Sequence, residues 1–161
     1  MADFDLKKAD RISQTCAVNA LRKAERAATQ IYDDALRPTG LRITQLNVLT
    51  AIRKLEPTSV KKLARSIVMD RTTLTRNLKP LEREGLIRVN AAEDRRVREI
   101  SLTPAGHREL TRAYRYWEQA QTRLLKQLGA RRMRQLVTEL SETSKALQPL
   151  LGAHSASSKK T

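Results

Sequence analysis

The sequence predicts a mainly α-helical fold that carries one small β-hairpin. Three observations lead to this. Residues 59–65 and 70–84 read as two amphipathic helices joined by a short turn at Ile67-Val68-Met69. The hydrophobic period then changes from helical to alternating across residues 86–102. Long, charged amphipathic segments flank this stretch at residues 10–36 and 104–151. Helix, turn, helix and hairpin, in that order, outline a winged helix-turn-helix. The flanking helices are too long to be spent on so small a core.

The elements follow in chain order. Ile12, Cys16, Ala20, Ala24, Ala27, Ile31, Ala35 and Leu36 recur at helical spacing, which predicts one continuous helix over residues 10–36. Its alanines leave room for another helix to approach. Arg37-Pro38-Thr39-Gly40 ends it with two breakers. A second helix over residues 44–55 turns Leu46, Leu49 and Ile52 inward, and Glu56-Pro57-Thr58 leads into the helix pair. Asp70 is placed to cap the second helix of that pair, because its carboxylate accepts from the free N–H groups of the first turn. Leu74, Leu78 and Leu81 form its apolar stripe. Pro80 removes one helical hydrogen bond and is expected to bend the axis. Gly85 supplies the left-handed stop.

Strands are expected at residues 86–89 and 97–102, joined by the charged connector at 90–96. Thr103-Pro104 then starts a helix, with a capping hydroxyl followed by proline at the first helical position. That helix runs to Leu128, Gly129 breaks it, and a last helix covers residues 130–151. Residues 152–161 are small, polar and basic, and are expected to be a disordered tail. Residues 1–151 thus form one domain. Roughly 41–103 is its winged part, expected on the grounds that follow to bind DNA, and 10–36 with 104–151 are expected to be its dimerisation helices. There is no internal repeat.

Charge bounds the partners. Lys and Arg number 32 against 17 Asp and Glu, a net charge of +15, and such an excess favours a polyanion. Residues 59–98, a quarter of the chain, hold 11 basic and 5 acidic residues, more than an even spread would place there. Aromatic residues make only 3% of the chain, which argues against an RNA-stacking surface. With one cysteine, Cys16, no intrachain disulfide forms, and no zinc cluster at ligand spacing exists. The two histidines, His107 and His154, lie far apart, and a Gly-rich phosphate loop is missing. No catalytic residues, metal or cofactor are therefore expected, and the chain is not read as an enzyme. Met1-Ala2-Asp3-Phe4-Asp5-Leu6 lacks a basic and apolar signal, and no apolar run approaches the ~20 residues needed to cross a bilayer. A cytoplasmic, nucleoid-associated protein of a bacterium is expected.

The outer face of the second helix of the pair carries the candidate chemistry. Arg71, Thr72, Thr73, Thr75, Arg76 and Lys79 lie off the leucine stripe and offer cations and hydroxyls to phosphates and base edges. Ser59 and Lys61 join them from the first helix. Asp94, Arg95 and Arg96 form a tight charged cluster on the hairpin tip, where a purely structural hairpin would prefer turn residues such as Asn-Gly. Two arginines there suit the negative potential of a narrow minor groove.

Several runs resemble one family. Gly85-Leu86-Ile87-Arg88, then Asp94-Arg95-Arg96, then Ile100-Ser101-Leu102-Thr103-Pro104-Ala105-Gly106 resemble the wing signature of the MarR family. Leu36-Arg37-Pro38, Gly40-Leu41, Gln45, Leu49, Leu63-Ala64, Leu74-Thr75-Arg76 and Leu81-Glu82 are similar to its helical parts. The resemblance covers roughly residues 16–151. It implies a dimeric bacterial transcription regulator on a pseudo-palindromic operator, expected to be a repressor released, as many members are, by a small phenol or aromatic acid. Asp94 would hold the wing, and Arg96 would enter the minor groove. The ligand would lie between the dimer helices and the winged part, where Arg22, Arg26, Tyr32, Leu46, Leu49 and Trp117 are candidates. An organic-peroxide-sensing branch carries a cysteine in the first helix. Aligned on Arg26, Thr29 and Tyr32, that cysteine falls at Val18 rather than Cys16, a turn of ~200° away on a helix. The alternatives are an architectural protein binding DNA by charge alone, and a cysteine-based oxidant sensor.

Overall fold

The structure, a computed structural model, describes residues 5–91 and 98–157. Its elements are α1 (Leu6–Thr15), α2 (Ala17–Leu36), α3 (Ile43–Leu55), β1 (Thr58–Ser59), α4 (Val60–Ser66), α5 (Arg71–Arg83), β2 (Ile87–Ala91), β3 (Arg98–Leu102), α6 (Pro104–Leu128) and α7 (Ala130–Ser157). One turn of 3-10 helix at Arg37–Thr39 links α2 to α3. This is a winged helix-turn-helix: α3, α4 and α5 pack around a small antiparallel sheet, and α2 and α6 lie against each other beside it.

The core forms where the apolar stripes converge. Leu36 of α2, Leu49 and Ile52 of α3, Leu63 of α4, Leu74 and Leu81 of α5, and Ile100 of β3 are fully buried together. Burial of each such side chain contributes roughly 1.5–3 kcal/mol. Ala113 and Ala120 of α6 are also fully buried, and as small residues they let α2 approach closely. Local bonds fix the helix starts. Asp33 Oδ1 accepts the Ile43 N–H at 2.7 Å, and Gln45 Oε1 accepts the Arg42 N–H at 2.8 Å. Thr103 Oγ1 accepts the Gly106 N–H at 3.0 Å and donates to the Gly85 carbonyl at 2.6 Å, so one hydroxyl ties the start of α6 to the turn after α5. Gly85 holds φ +69°, the left-handed stop expected there. The second close approach is at Gly106, where a built Cβ would stand 2.0 Å from the Leu86 carbonyl oxygen. Only glycine lets α6 lie this near the entry to β2.

The sheet order is β1-β3-β2, with Thr58 opposite Ile100 and Ile87 opposite Leu102. The hairpin expected from the sequence is therefore joined by a third strand, β1, whose two residues are too few to show any period. Two further expectations are corrected. The first helix is not continuous, because Cys16 adopts an extended ψ of 107° and separates α1 from α2. Thr15 donates its hydroxyl to the Arg11 carbonyl at 2.7 Å, a local bond that competes with helix continuation. No residue of α1 is buried, so tertiary packing does not override that competition. Pro80 stands inside α5, which runs on to Arg83. The last helix continues past Leu151 to Ser157, so helix replaces the expected disordered tail over residues 152–157. Residues 158–161 lie outside the described residues. Among the described residues no helix is long and apolar enough to cross a membrane.

Candidate nucleic-acid interface

α5 positions the site. Asp70 Oδ1 accepts the Thr73 N–H at 2.8 Å and caps the helix, as the sequence predicts. Hydrogen bonds from Thr73, its hydroxyl first and then its amide, hold the Asp70 carboxyl below its ordinary pKa. Leu74, Leu78 and Leu81 bury one side. On the opposite side Thr72, Arg76 and Lys79 project within about 60° of one another, by helical geometry.

These residues open onto a recess of about 920 Å³. Arg71, Thr72, Thr75, Arg76 and Lys79 of α5 form one wall, Ser59, Val60 and Lys61 a second, and Arg98 of β3 a third. Five cations and no carboxylate line it. The ion pairs found among the described residues fall elsewhere: Arg37 with Asp34, Arg53 with Glu56, beside which His107 also lies, and Arg112 with Glu109. Among the described residues the recess cations have no ion-pair partner, and they stand together on a concave surface, an arrangement that suits a phosphate backbone.

Two hydroxyls there have partly assigned roles. Ser59 Oγ accepts the Lys62 N–H at 3.2 Å and caps α4. Thr75 Oγ1 donates to the Arg71 carbonyl at 2.7 Å, so toward a ligand it acts as an acceptor. Thr73 is exposed but does not line the recess, being about 100° around the helix from Thr72. Asp94, Arg95 and Arg96 lie outside the described residues. The sequence reading missed Arg98. Its signal was available in strand parity, since Arg98, Ile100 and Leu102 share one face and the latter two are buried. Arg98 continues that face past the end of the core.

The MarR family profile matches residues 41–97. The transcriptional regulator MosR of M. tuberculosis, in a structure solved with DNA, is 38% identical and superposes with a TM-score of 0.71 over 81% of this chain and 97% of MosR. The chain belongs to the MarR family of winged helix-turn-helix transcriptional regulators.

Other MarR relatives extend the likeness. The HTH-type transcriptional regulator SarZ of Staphylococcus epidermidis is 41% identical over 76 residues, which make 47% of this chain and 51% of SarZ. The chain thus spans about half the length of the curated relatives it matches. A mutant MarR of E. coli, complexed with operator DNA, is 20% identical with a TM-score of 0.75 over 86% of this chain and 98% of that one, a likeness of fold alone.

A second concavity separates this MarR winged part from its long helices. Leu46, Asn47 and Thr50 of α3 and Leu110, Thr111, Tyr114 and Trp117 of α6 enclose about 510 Å³. The Tyr114 and Trp117 rings stack at 5.6 Å and 25°. Of the ligand candidates named from sequence, Leu46 and Trp117 line this groove. Leu49 does not, being fully buried in the core, and Tyr32 is engaged with Gln121, to which its hydroxyl donates across α2 and α6. Burial holds the Tyr32 phenol above its ordinary pKa. Arg22 and Arg26 stand exposed on α2 and do not line the groove either. The expected arginine for a carboxylate is therefore missing from these walls. Cys16 sits half-buried at the break between α1 and α2, and Val18, the peroxide-branch position, is 58% exposed. Among the described residues no cluster of His, Cys, Asp and Glu could hold a metal ion.

Proposed function

We propose that the chain binds duplex DNA sequence-specifically as a homodimer on a pseudo-palindromic operator and acts there as a repressor, in the cytoplasm at the nucleoid. The recess carries this reading: an acceptor hydroxyl, a further threonine and three cations face outward from one capped helix, and Lys61 of α4 and Arg98 of β3 add two more cations beside them. α5 enters the major groove, where Arg71, Thr72, Thr75 and Arg76 meet base edges and phosphates. Thr73 flanks them. Ser59, Lys61, Lys79 and Arg98 clamp the backbone. Arg95 and Arg96 at the wing tip take the minor groove, with Asp94 orienting Arg96. Residues 41–103 read DNA, while 10–36 and 104–151 dimerise. In support of a dimer, Ile12, Val18, Leu21, Leu136, Val137, Leu140 and Leu147 are exposed apolar side chains on α1, α2 and α7.

The rival reading is an architectural protein held by charge. The threonines argue against it, because charge-only binding does not need them. A competition assay separates the two: operator binding is expected to survive an excess of random duplex. Equal loss on both DNAs would establish the rival.

The effector proposed for the α3–α6 groove is a flat phenol rather than an aromatic carboxylate. The walls offer stacking rings, hydroxyls and an amide but no cation. Trp117 is the chain's single tryptophan, so binding is expected to quench its fluorescence and weaken operator affinity together. A phenol series that quenches nothing would remove the effector from this reading.

A further inference from the structure

Glu56 stands where three elements meet. It follows the last residue of α3, and its carboxylate is mostly buried, at 16% exposure. Oε2 accepts the Leu102 N–H of β3 at 2.9 Å. Oε1 lies 3.6 Å from His107 Nε2 of α6 and 3.4 Å from the Arg53 guanidinium of α3.

The bond to Leu102 occupies a position that belongs to a strand. β1 pairs Thr58 with Ile100, and two residues further along both chains Glu56 comes opposite Leu102. β1 has already ended there. The Glu56 side chain supplies the acceptor that a longer β1 backbone would have supplied. Leu102 is also the root of the wing: β3 and its partner β2 project from it, and α6 begins two residues later. The angle at which the wing leaves the body is therefore set on one edge of the central strand by the two-residue β1 pairing extended by this carboxylate bond, and on the other by backbone pairing with β2.

We propose that Glu56 is a positioning residue that aims the wing at DNA. The inference rests on the DNA-binding function proposed above. Without the Leu102 bond the β3 edge is tethered to β1 by Thr58 and Ser59 alone, and Arg98 loses its fixed place opposite α5. Glu56 also ties the wing to the seam between α3 and α6. Thr50 and Arg53 are one turn apart on α3, and His107 and Leu110 one turn apart on α6, so the effector groove and the Glu56 contacts share that seam. A ligand that changes the spacing of α3 and α6 reaches the wing through this carboxylate.

Two substitutions isolate reach from charge. Glu56→Asp keeps the charge but is one methylene too short to hold Leu102 from the same backbone position. Glu56→Gln loses the charge but keeps an oxygen acceptor of the right length. Operator binding by each full-length protein is measured across a salt series, with affinity referred to the titrated active fraction so that partial unfolding does not imitate a change. Glu56→Asp is expected to bind about tenfold more weakly, with its salt slope reduced by about one as a wing cation leaves the phosphates. Glu56→Gln is expected to match the wild type in both. The reverse pattern, or wild-type slope and affinity in Glu56→Asp, would overturn the positioning role. A wild-type protein without any sequence preference would instead overturn the DNA-reading function itself, so the two failures are distinct.

Discussion

Arg76 and Thr72 sit side by side on α5, one turn apart and away from the leucine stripe. Arginine is suited to two parallel hydrogen bonds with a guanine edge, so Arg76→Ala is expected to cost about 1–3 kcal/mol on the operator and to relax its specificity. Binding measured on operator and random duplex checks this; equal losses on both would reduce Arg76 to a phosphate contact. Thr75 behaves differently, because its hydrogen is already given to the Arg71 carbonyl. It is left to accept from a base amino group. That distinction was not legible in the sequence, where both threonines look alike. Arg98 was legible in principle, through its parity with Ile100 and Leu102. Leu49 erred in the other direction. An apolar residue at helical spacing fits a core and a pocket equally well, and only the packing of α3 shows which one it serves.

Among the elements, the contact of α6 with β2 is the least tolerant. Gly106 meets the Leu86 carbonyl, and a methyl group there would overlap a backbone atom that is itself bonded to the Thr103 N–H at 3.0 Å. Gly106→Ala is expected to destabilise the fold by about 3 kcal/mol, read as a lower denaturant midpoint with an unchanged slope. A midpoint equal to that of the wild type would mean that α6 shifts freely. The helices from α3 to α6 were readable because their caps, stripes and stops agree: Asp70 with the leucines and Gly85, Thr103 with Pro104 and Gly129. The break at Cys16 carried no such mark. No proline or glycine stands there, and the local bond of Thr15 to Arg11 prevails because no residue of α1 is buried. β1 escaped for a different reason, since two residues cannot display an alternation.

At the scale of the whole molecule, α1 and α7 leave their apolar faces uncovered, with Leu147 50% and Val137 54% exposed. A twofold partner covering these faces is expected: Leu136→Glu with Leu140→Glu should yield a monomer that keeps its helical spectrum, and removal of residues 130–161 a monomer lacking only the α7 part of it, both binding operator poorly. Sedimentation at low micromolar concentration is the measurement; a wild-type monomer under those conditions would sink the dimer. The net charge of +15 was legible from composition, but its concentration in one recess was not, because that needs α4, α5 and β3 to converge. α6, at 25 residues, spans the distance from the wing root to Gly129 without a break. Mechanically it is a lever about 37 Å long. A tilt of five degrees at its far end moves the wing root by about 3 Å, close to the ~3.4 Å step between base pairs. In the proposed dimer, a small turn where the two chains join would thus carry each reading head out of phase with its half-site by one rung of the ladder, with every side chain on α5 left as it was.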